Sequence, residues 1–345
     1  MTFRIDHSRP HFGLPLALVT LALLGACAPS PQPPTPPAIA PTAPPERPAL
    51  PGVDQAALRR DRAEDARAAN ARAQAAAATP ASAGMRQYLT STEETLIARG
   101  HLRTDPGTEI ALTPERLTED FVQIALHDEY VRHGDTLVQH EVTAPLRRWQ
   151  QPVRMQMYFG DSVPPAQRSR DRADVAGFAA RLQRVSGHPV ALGGAQGNFV
   201  VLVVNEDERR AIGPRLQSMV PGIPPSDVVA LSELSPQNFC TVFAYSQGNS
   251  PVYAQAVALI RAELPPRLRR SCVHEELTQG MGLANDSPRA RPSIFNDDEE
   301  FAYLTRHDEL LLKILYDPRL RPGMTEAEAR PVVMQIATEL LGTEV

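Results

Sequence analysis

The chain has 345 residues, of which 42 % are hydrophobic and 22 % charged, and its formal net charge is −5 at pH 7. This composition is typical of a folded globular protein long enough for one large domain or two small ones. It lacks the basic excess of nucleic-acid-binding proteins, so we expect no nucleic-acid partner.

The first 27 residues have the pattern of a targeting segment. Basic residues precede an apolar run at residues 14–27, which is too short and wrongly flanked for a stable membrane span. The run ends in "LGAC" and resembles a bacterial lipobox. The resemblance implies removal of residues 1–26 as a lipoprotein signal peptide and attachment of a lipid to Cys27, with Ala28 favouring the outer membrane. A plain secretory signal, in which Cys27 is incidental, is the alternative.

Two stretches of unusual composition follow. Residues 27–53 begin with Cys27, the predicted lipidation site, and hold eleven prolines between Pro29 and Pro51. Such a tract cannot bury a core, so we predict a disordered linker that holds a domain away from the membrane. Residues 54–84 are rich in Ala and Arg but poor in large apolar residues, which predicts a partly helical, solvated spacer with nothing to pack against. The folded domain is then expected over residues 85–345.

Within that domain, capping residues and hydrophobic periodicity predict an alternation of helices and strands. Helices are predicted from a capping box at Ser91 to Gly100, from Thr113, over residues 171–187, over 207–220 with a break at Gly213, from Pro266, from Thr305 and from Thr325. Strands are predicted over residues 154–159, 198–205 and 239–246. The apolar stretch at residues 254–264 fits either structure.

Two cysteines remain after lipidation of Cys27, namely Cys240 and Cys272. In the oxidising periplasm such a pair is typical of a disulfide bond. Two buried free thiols are the alternative.

The stretch "CVHEELTQGMGLAND", residues 272–286, lies on the predicted helix from Pro266. A metal-dependent hydrolase needs three ligands, a metal-bound water and a general base, and a helix offers two ligands at i and i+4 with the base at i+1. A register that starts at His274 fails, because Thr278 takes the place of the second ligand. His274 lies beside the motif, and we expect it to be a surface or satisfied histidine. A ligand of a rebuilt metal site is the alternative. A register shifted by one residue reads E-E-x-x-Q-x-x-G-x-x-N-D.

The shifted register resembles the metzincin motif H-E-x-x-H-x-x-G-x-x-H-D at every spacing. The resemblance places Glu276 at the general-base position, Gly282 at the turn glycine and Asp286 at the trailing acid. The ligand histidines are replaced, in order, by Glu275, Gln279 and Asn285.

Downstream residues extend the resemblance. The sequence "SIF" at residues 293–295 corresponds to the metzincin turn S-I-M, with Phe295 in place of the methionine, and "LTRHDELLLKILY" corresponds to the helix that follows. With "LYDPRLRPGM", these stretches resemble a family of bacterial lipoproteins of unknown function, DUF2927, over about residues 110–340. The resemblance implies an α+β, zincin/metzincin-like domain, in which a mixed sheet precedes an active-site-type helix and a helical C-terminal part.

The substitutions change the chemistry that the resemblance implies. Glutamate, glutamine and asparagine offer only oxygen ligands, which suit zinc poorly, and calcium prefers more of them. Without a metal-bound water Glu276 has nothing to deprotonate, so we expect a vestigial, inactive site without a cofactor. A metal ion held by atypical ligands is the alternative.

The same residues also fit ordinary structural roles. Glu275 and Gln279, one turn apart on a helix, could bond to each other or to a neighbouring loop. Gly282 could end the helix, and Asn285 with Asp286 could form a turn.

Three functions are compatible with the sequence. The first is a lipid-anchored module on the periplasmic side of the cell envelope that binds a protein, a peptide or an envelope component through an inactive metzincin-like domain. The second is an active metal-dependent peptidase with an atypical site. The third is a purely structural envelope protein, in which the motif positions are buried and no cleft is present.

Overall fold

The computed structural model describes residues 55–133, 136–194, 196–296 and 298–342. The predicted signal peptide, Cys27 and the proline-rich linker lie outside the described residues. Helices α1 to α10 span Gln55–Ala77, Pro80–Ala98, Pro114–Ala125, Pro165–Ser186, Glu206–Arg210, Gly213–Met219, Pro225–Ser232, Pro266–Gln279, Arg306–Leu315 and Glu326–Gly342. Strands β1 to β8 span His127–His133, Thr136–Thr143, Arg148–Trp149, Val153–Phe159, Val190–Leu192, Phe199–Val204, Cys240–Ser246 and Val252–Arg261.

The central sheet is mixed, as predicted. Strand β6 lies between β4 and β8 and pairs in parallel with both, and β5 pairs in parallel with the outer side of β4. The short β3 runs parallel to the first residues of β8. Strand β7 pairs antiparallel with β8 and has no other strand partner among the described residues. The sheet therefore ends at an antiparallel edge strand.

Helices cover both faces of the sheet, which explains the continuous apolar run of β6. All six residues of β6 are buried. Phe199 and Val201 pack into the main core with residues of α4 and α8, whereas Val200 and Leu202 pack into a second core under α6 and α7. A strand that is buried on both faces has no polar face to alternate with, and this is the pattern of a parallel, doubly covered sheet.

The N-terminal helices differ from the prediction. Helix α2 begins at Pro80, where the side chain of Thr79 accepts a hydrogen bond from the amide of Ser82, so the helix start predicted at Ser91 is wrong. The local capping signal at Ser91 lies inside a helix that has already begun. The segment predicted to have nothing to pack against also makes tertiary contacts, since Ala73 is buried and the carbonyl of Ala76 accepts a hydrogen bond from the Asn205 amide.

Local sequence signals did not predict two of the strand regions. The hairpin of β1 and β2 is rich in charged residues and lacks the apolar alternation of a strand. The ambiguous stretch from residue 254 belongs to strand β8, whose last six residues are buried. The predicted helices from Thr113, Pro266 and Thr305 begin where expected, and Thr305 forms a capping box with Asp308. None of the helices in the described part of the chain has the length and hydropathy of a membrane span.

Candidate functional site

Helix α8 follows the buried strand β8 in the chain and lies beside the edge strand β7. The predicted disulfide is confirmed: Cys240, the first residue of β7, is bonded to Cys272 in α8, with 5.9 Å between their Cα atoms. The bond fixes the edge strand to the helix that carries the motif. The two elements therefore form a covalently linked corner.

A groove of about 720 Å³ opens along this corner. Strand β7 and the segment before it line one part of the groove, and one side of α8 lines another. Further lining comes from Ala284, Asp286, Ile294, Asn296 and Glu299. The polar and charged side chains that line it are Asp128, Arg147, Glu233, Ser235, Gln237, Asn238, Thr241, Glu275, Glu276, Gln279, Asp286, Asn296 and Glu299.

The structure brings together part of the predicted site. Glu275, Glu276, Gln279 and Asp286 all line the groove, and Gln279 Nε2 donates to Asp286 Oδ1 at 2.9 Å. Glu276 is only 3 % exposed, so it faces the groove from a largely buried position.

Asn285 points away from this group. Its side chain is buried, and its Nδ2 donates to the carbonyl of Gln123 at 2.9 Å. Its backbone amide donates to the carbonyl of Ile124 at 3.0 Å. The residue at the third ligand position is therefore anchored on α3, and the three ligand positions do not converge.

The turn after α8 is held by close backbone packing. The helix ends at Gln279 with Gly280 as its C-cap, so Gly282 is not the helix cap. Gly282 has φ +123°, and a Cβ atom there would lie 2.5 Å from the carbonyl oxygen of Arg147. The indole of Trp149 donates to the carbonyl of Gly280 at 2.8 Å, which fixes the helix end against β3. Glycine is therefore required at position 282 for both its conformation and the space it leaves.

The Ser-Ile-Phe turn, residues 293–295, borders the groove. Ser293 Oγ donates to Asp308 Oδ1 at 2.6 Å and accepts from the amide of Phe295 at 3.0 Å. The amide of Ile294 donates to Asp308 Oδ2 at 3.2 Å, and Ile294 lines the groove. The Phe295 side chain is fully buried in the main core. Asp308 thus ties the turn to the start of α9.

His274 is a satisfied structural histidine. Its ring stacks on Phe178, with centroids 4.1 Å apart, and lies 4.9 Å from the ring of Tyr303. Its Nδ1 accepts a hydrogen bond from the amide of Leu304 at 2.9 Å. Burial, together with the positive charges of Arg181 and Arg270, lowers the pKa of His274 to about 3. The residue is neutral and does not line the groove.

Sequence reasoning did not identify a second buried histidine. His307 Nε2 lies 2.9 Å from Asp120 Oδ2, and His307 Nδ1 lies 3.5 Å from Asp308 Oδ1. Burial opposes protonation, but the hydrogen bond to Asp120 and the nearby carboxylate of Asp308 raise the pKa of His307. Asp120 and His307 are 187 residues apart, so no local pattern could have paired them.

The groove does not provide a zinc site. Among the described residues that line it there is no histidine. Ligand atoms of Cys240, Glu275 and Glu276 lie within 4.8 Å of one another, but the Cys240 sulfur is bonded to Cys272 and cannot act as a thiolate. Two carboxylates with one glutamine amide that is bonded to Asp286 do not form a typical zinc donor set.

Comparisons with known proteins identify one relationship. The family model described as "Protein of unknown function (DUF2927)" matches residues 114–335, which is more than half of the chain. No curated protein and no solved structure matches the chain.

Proposed function

The chain belongs to the DUF2927 family, and on that premise we propose that its domain binds an extended polypeptide in the groove beside β7 without metal-dependent catalysis. We further propose that the protein is a lipoprotein held in the cell envelope through Cys27. The observation that carries the proposal is the edge of β7 that faces away from β8. Its backbone N–H and C=O groups are directed towards the groove.

The orientation of these groups follows from the neighbouring strand. The amide of Ala256 in β8 donates to the carbonyl of Asn198, just before β6. Along a strand, successive residues direct their N–H and C=O groups to opposite sides. Ala256 therefore faces β6, and Val257 and Leu259 face β7.

The same alternation applies to β7. Phe243 lies opposite Val257 and Thr241 lies opposite Leu259, so these β7 residues bond to β8. Val242 and Ala244 then direct their N–H and C=O groups to the free edge, and both residues line the groove. An extended polypeptide gains main-chain hydrogen bonds by adding to such an edge.

The order of elements supports a degenerate metzincin-like scaffold. The resemblance seen in the sequence implies a buried strand and an edge strand before the motif helix. Strand β6 is fully buried, β7 is the antiparallel edge strand, and α8 carries the motif. In such a scaffold the groove beside the edge strand is where we expect a polypeptide to bind.

The composition of the groove supports binding over catalysis. Glu276 faces the groove from the general-base position, but the ligand positions do not converge and the donor set does not suit zinc. The presence of an open groove with Glu276 in its lining favours binding over a purely structural role, for which we expected no cleft.

The membrane anchor is proposed from the sequence alone. Cys27 ends an apolar run as a lipobox requires, and the proline-rich linker after it provides distance from the membrane. Expression of the full chain in a bacterium with a labelled fatty acid tests the proposal. We expect label in the wild type and none in Cys27→Ser, which should leave the membrane fraction. Equal labelling of the two proteins would contradict it.

Binding at the β7 edge is tested with a matched pair of substitutions. Ala244→Pro removes one outward N–H without removing a bond to β8, because proline is tolerated at a free edge. Ala244→Val keeps that N–H. We expect a peptide selected from a random library on the wild type to bind Ala244→Pro at least about tenfold more weakly and Ala244→Val nearly unchanged. Equal affinity for the two variants would exclude strand addition at this edge.

A further inference from the structure

We propose that a pocket at the carboxyl ends of the parallel strands binds a small zwitterion of the α-amino-acid class. The pocket has a volume of about 490 Å³ and shares no described lining residue with the groove beside β7. The inference therefore goes beyond the proposed function and does not depend on it. It rests on the position of the pocket in the sheet and on two buried polar atoms in its lining.

The pocket lies where open α/β sheets commonly bind ligands. Strands β4, β6 and β8 are parallel, so their carboxyl ends meet at one edge of the sheet. Ser162 comes shortly after β4, Asn205 after β6 and Glu263 after β8, and all three residues line the pocket. The chain after β4 leads to β5 on one side, whereas the chain after β6 leads to β7 and β8 on the other. The crevice between two such connections is a common ligand site in this architecture.

Glu263 is the buried acceptor that points to a ligand. It is only 3 % exposed. Its Oε1 accepts hydrogen bonds from Ser82 Oγ and from the Glu206 amide, both at 2.8 Å. Its Oε2 has no hydrogen-bond partner in the described part of the chain. A buried carboxylate oxygen without a donor is costly, and a ligand N–H would satisfy it.

The neighbouring turns of this edge are satisfied within the chain. Glu208 accepts hydrogen bonds from the amide and the hydroxyl of Ser162, at 2.7 and 2.6 Å. The side chain of Asn205 accepts from the Glu208 amide at 2.9 Å and donates to the carbonyl of Ala76 at 3.1 Å. The hydrogen bonds of both turns are thus directed away from Glu263 Oε2.

Arg269 supplies a buried donor in the same lining. Its guanidinium is held in place, since it donates to the carbonyls of Ala262 and Leu264 and lies 3.6 Å from Asp171 Oδ1. Its Nε is nevertheless buried without a hydrogen-bond partner among the described residues. A ligand oxygen would satisfy this donor. The pocket lining therefore offers one acceptor and one donor that the chain itself leaves unused.

The helix ends at the pocket carry charges of both signs. Helix α1 ends at Ala77, which lines the pocket, and the carboxyl end of a helix attracts cations. Helix α4 begins there with Pro164 as an N-cap that forms no side-chain hydrogen bond, so its first amides remain open to an anion. The exposed Arg86 of α2 adds a positive charge. An ammonium group next to a carboxylate matches both signs.

The remaining wall favours an apolar side chain. Ala73 and Ala77 of α1 and Leu264 line the pocket with aliphatic groups. The volume lies in the range of small-ligand pockets, so there is room for a side chain such as that of leucine. The segment that the sequence predicted to be a solvated spacer thus closes one side of this pocket.

Equilibrium dialysis of radiolabelled leucine with the full-length chain in detergent tests the inference. Leucinamide, which lacks the carboxylate, and N-acetylleucine, which lacks the ammonium group, serve as competitors. We expect leucine to bind and each analogue to compete at least about tenfold more weakly than unlabelled leucine. Absence of leucine binding, or equal competition by either analogue, would overturn the inference.

Two substitutions test the assignment of the charges. Glu263→Gln keeps the shape of the side chain and one oxygen for Ser82 and Glu206, but it removes the negative charge. Leucine should therefore bind at least about tenfold more weakly. Arg86→Gln should weaken leucine binding about threefold and leave competition by leucinamide unchanged, because leucinamide has no carboxylate.

The control is Arg60→Gln, which makes the same charge change at an exposed position of α1 outside the pocket. Thermal denaturation shows whether each variant is folded. A folded Glu263→Gln variant that binds leucine as tightly as the wild type would overturn the inference. If Glu263→Gln does not fold, the arginine variants decide, and equal affinities of Arg86→Gln and Arg60→Gln for leucine would overturn it.

Discussion

Gln279 and Asp286, seven residues apart, are joined by a hydrogen bond from Nε2 to Oδ1 of 2.9 Å. They occupy the second ligand position and the trailing-acid position of the metzincin-like motif. The bond spans the turn at Gly282 and lies in the groove, whereas Asn285, the neighbour of Asp286, faces α3. The motif positions in this chain therefore stabilise the turn and shape the groove.

Replacing Asn285 with alanine should destabilise the domain. The substitution removes the donor to the Gln123 carbonyl and leaves that partly buried acceptor without its bond, at a cost of about 1–3 kcal/mol. Urea denaturation measures the change in the free energy of unfolding. The control is Gln279→Ala at the half-buried groove surface, for which we expect a loss below about 1 kcal/mol. A smaller loss for Asn285→Ala than for the control would contradict the anchoring of Asn285 on α3.

Loss of the disulfide should destabilise the corner between β7 and α8. Cys240 and Cys272 are 32 residues apart, and closing a loop of that length stabilises a fold by about 3–4 kcal/mol. The Cys240→Ser, Cys272→Ser double variant should therefore melt well below the oxidised wild type in a calorimeter. The wild type with a reductant should match the double variant, and a reductant should not change the double variant itself. An unchanged melting temperature in all samples would contradict the prediction.

His274 should make stability depend on pH in the acidic range. Burial lowers the pKa of His274 from 6.5 to about 3, so between these values the unfolded chain binds a proton that the folded chain does not. Stability is therefore fully present above pH 6.5 and is lost as the pH falls, by about 1–2 kcal/mol between about pH 7 and pH 5. Denaturation curves at both pH values measure this loss.

The matched variant for that measurement is His274→Phe, which keeps an aromatic ring between Phe178 and Tyr303 but cannot take up a proton. It loses the acceptor for the Leu304 amide, so its stability should be lower at neutral pH. Its loss of stability between the two pH values should nevertheless be smaller than that of the wild type. An identical pH dependence in both proteins would show that folding does not lower the pKa of His274.

Phe295 should tolerate methionine, the residue that the metzincin turn carries at this position. Phe295 is fully buried, so Phe295→Ala leaves a cavity and should cost about 3–5 kcal/mol, whereas Phe295→Met keeps most of the volume and should cost below about 1.5 kcal/mol. Thermal and urea denaturation of both variants test this order. A methionine variant as unstable as the alanine variant would mean that the pocket is specific for the aromatic ring.

Most regular elements of the domain were predictable because their signals are local. The cap at Thr113, the buried apolar run of β6 and the capping box at Thr305 each lie within a few residues of the element they define. The start of α2 was missed because two capping signals compete along the same stretch, and the helix begins at the earlier one, Thr79. Strand β8 was ambiguous because a fully buried run has no polar period to read.

Local sequence patterns were enough to predict the spacing of the motif, the helix that carries it and the pair of cysteines in the disulfide. They could not predict that Asn285 faces α3, that His307 pairs with Asp120 or that β7 borders a groove beside α8. The difference lies in the range of the interactions. Capping and periodicity act between neighbours in the chain, whereas Asn285 and Gln123 are 162 residues apart and meet only after the helices have packed on the sheet.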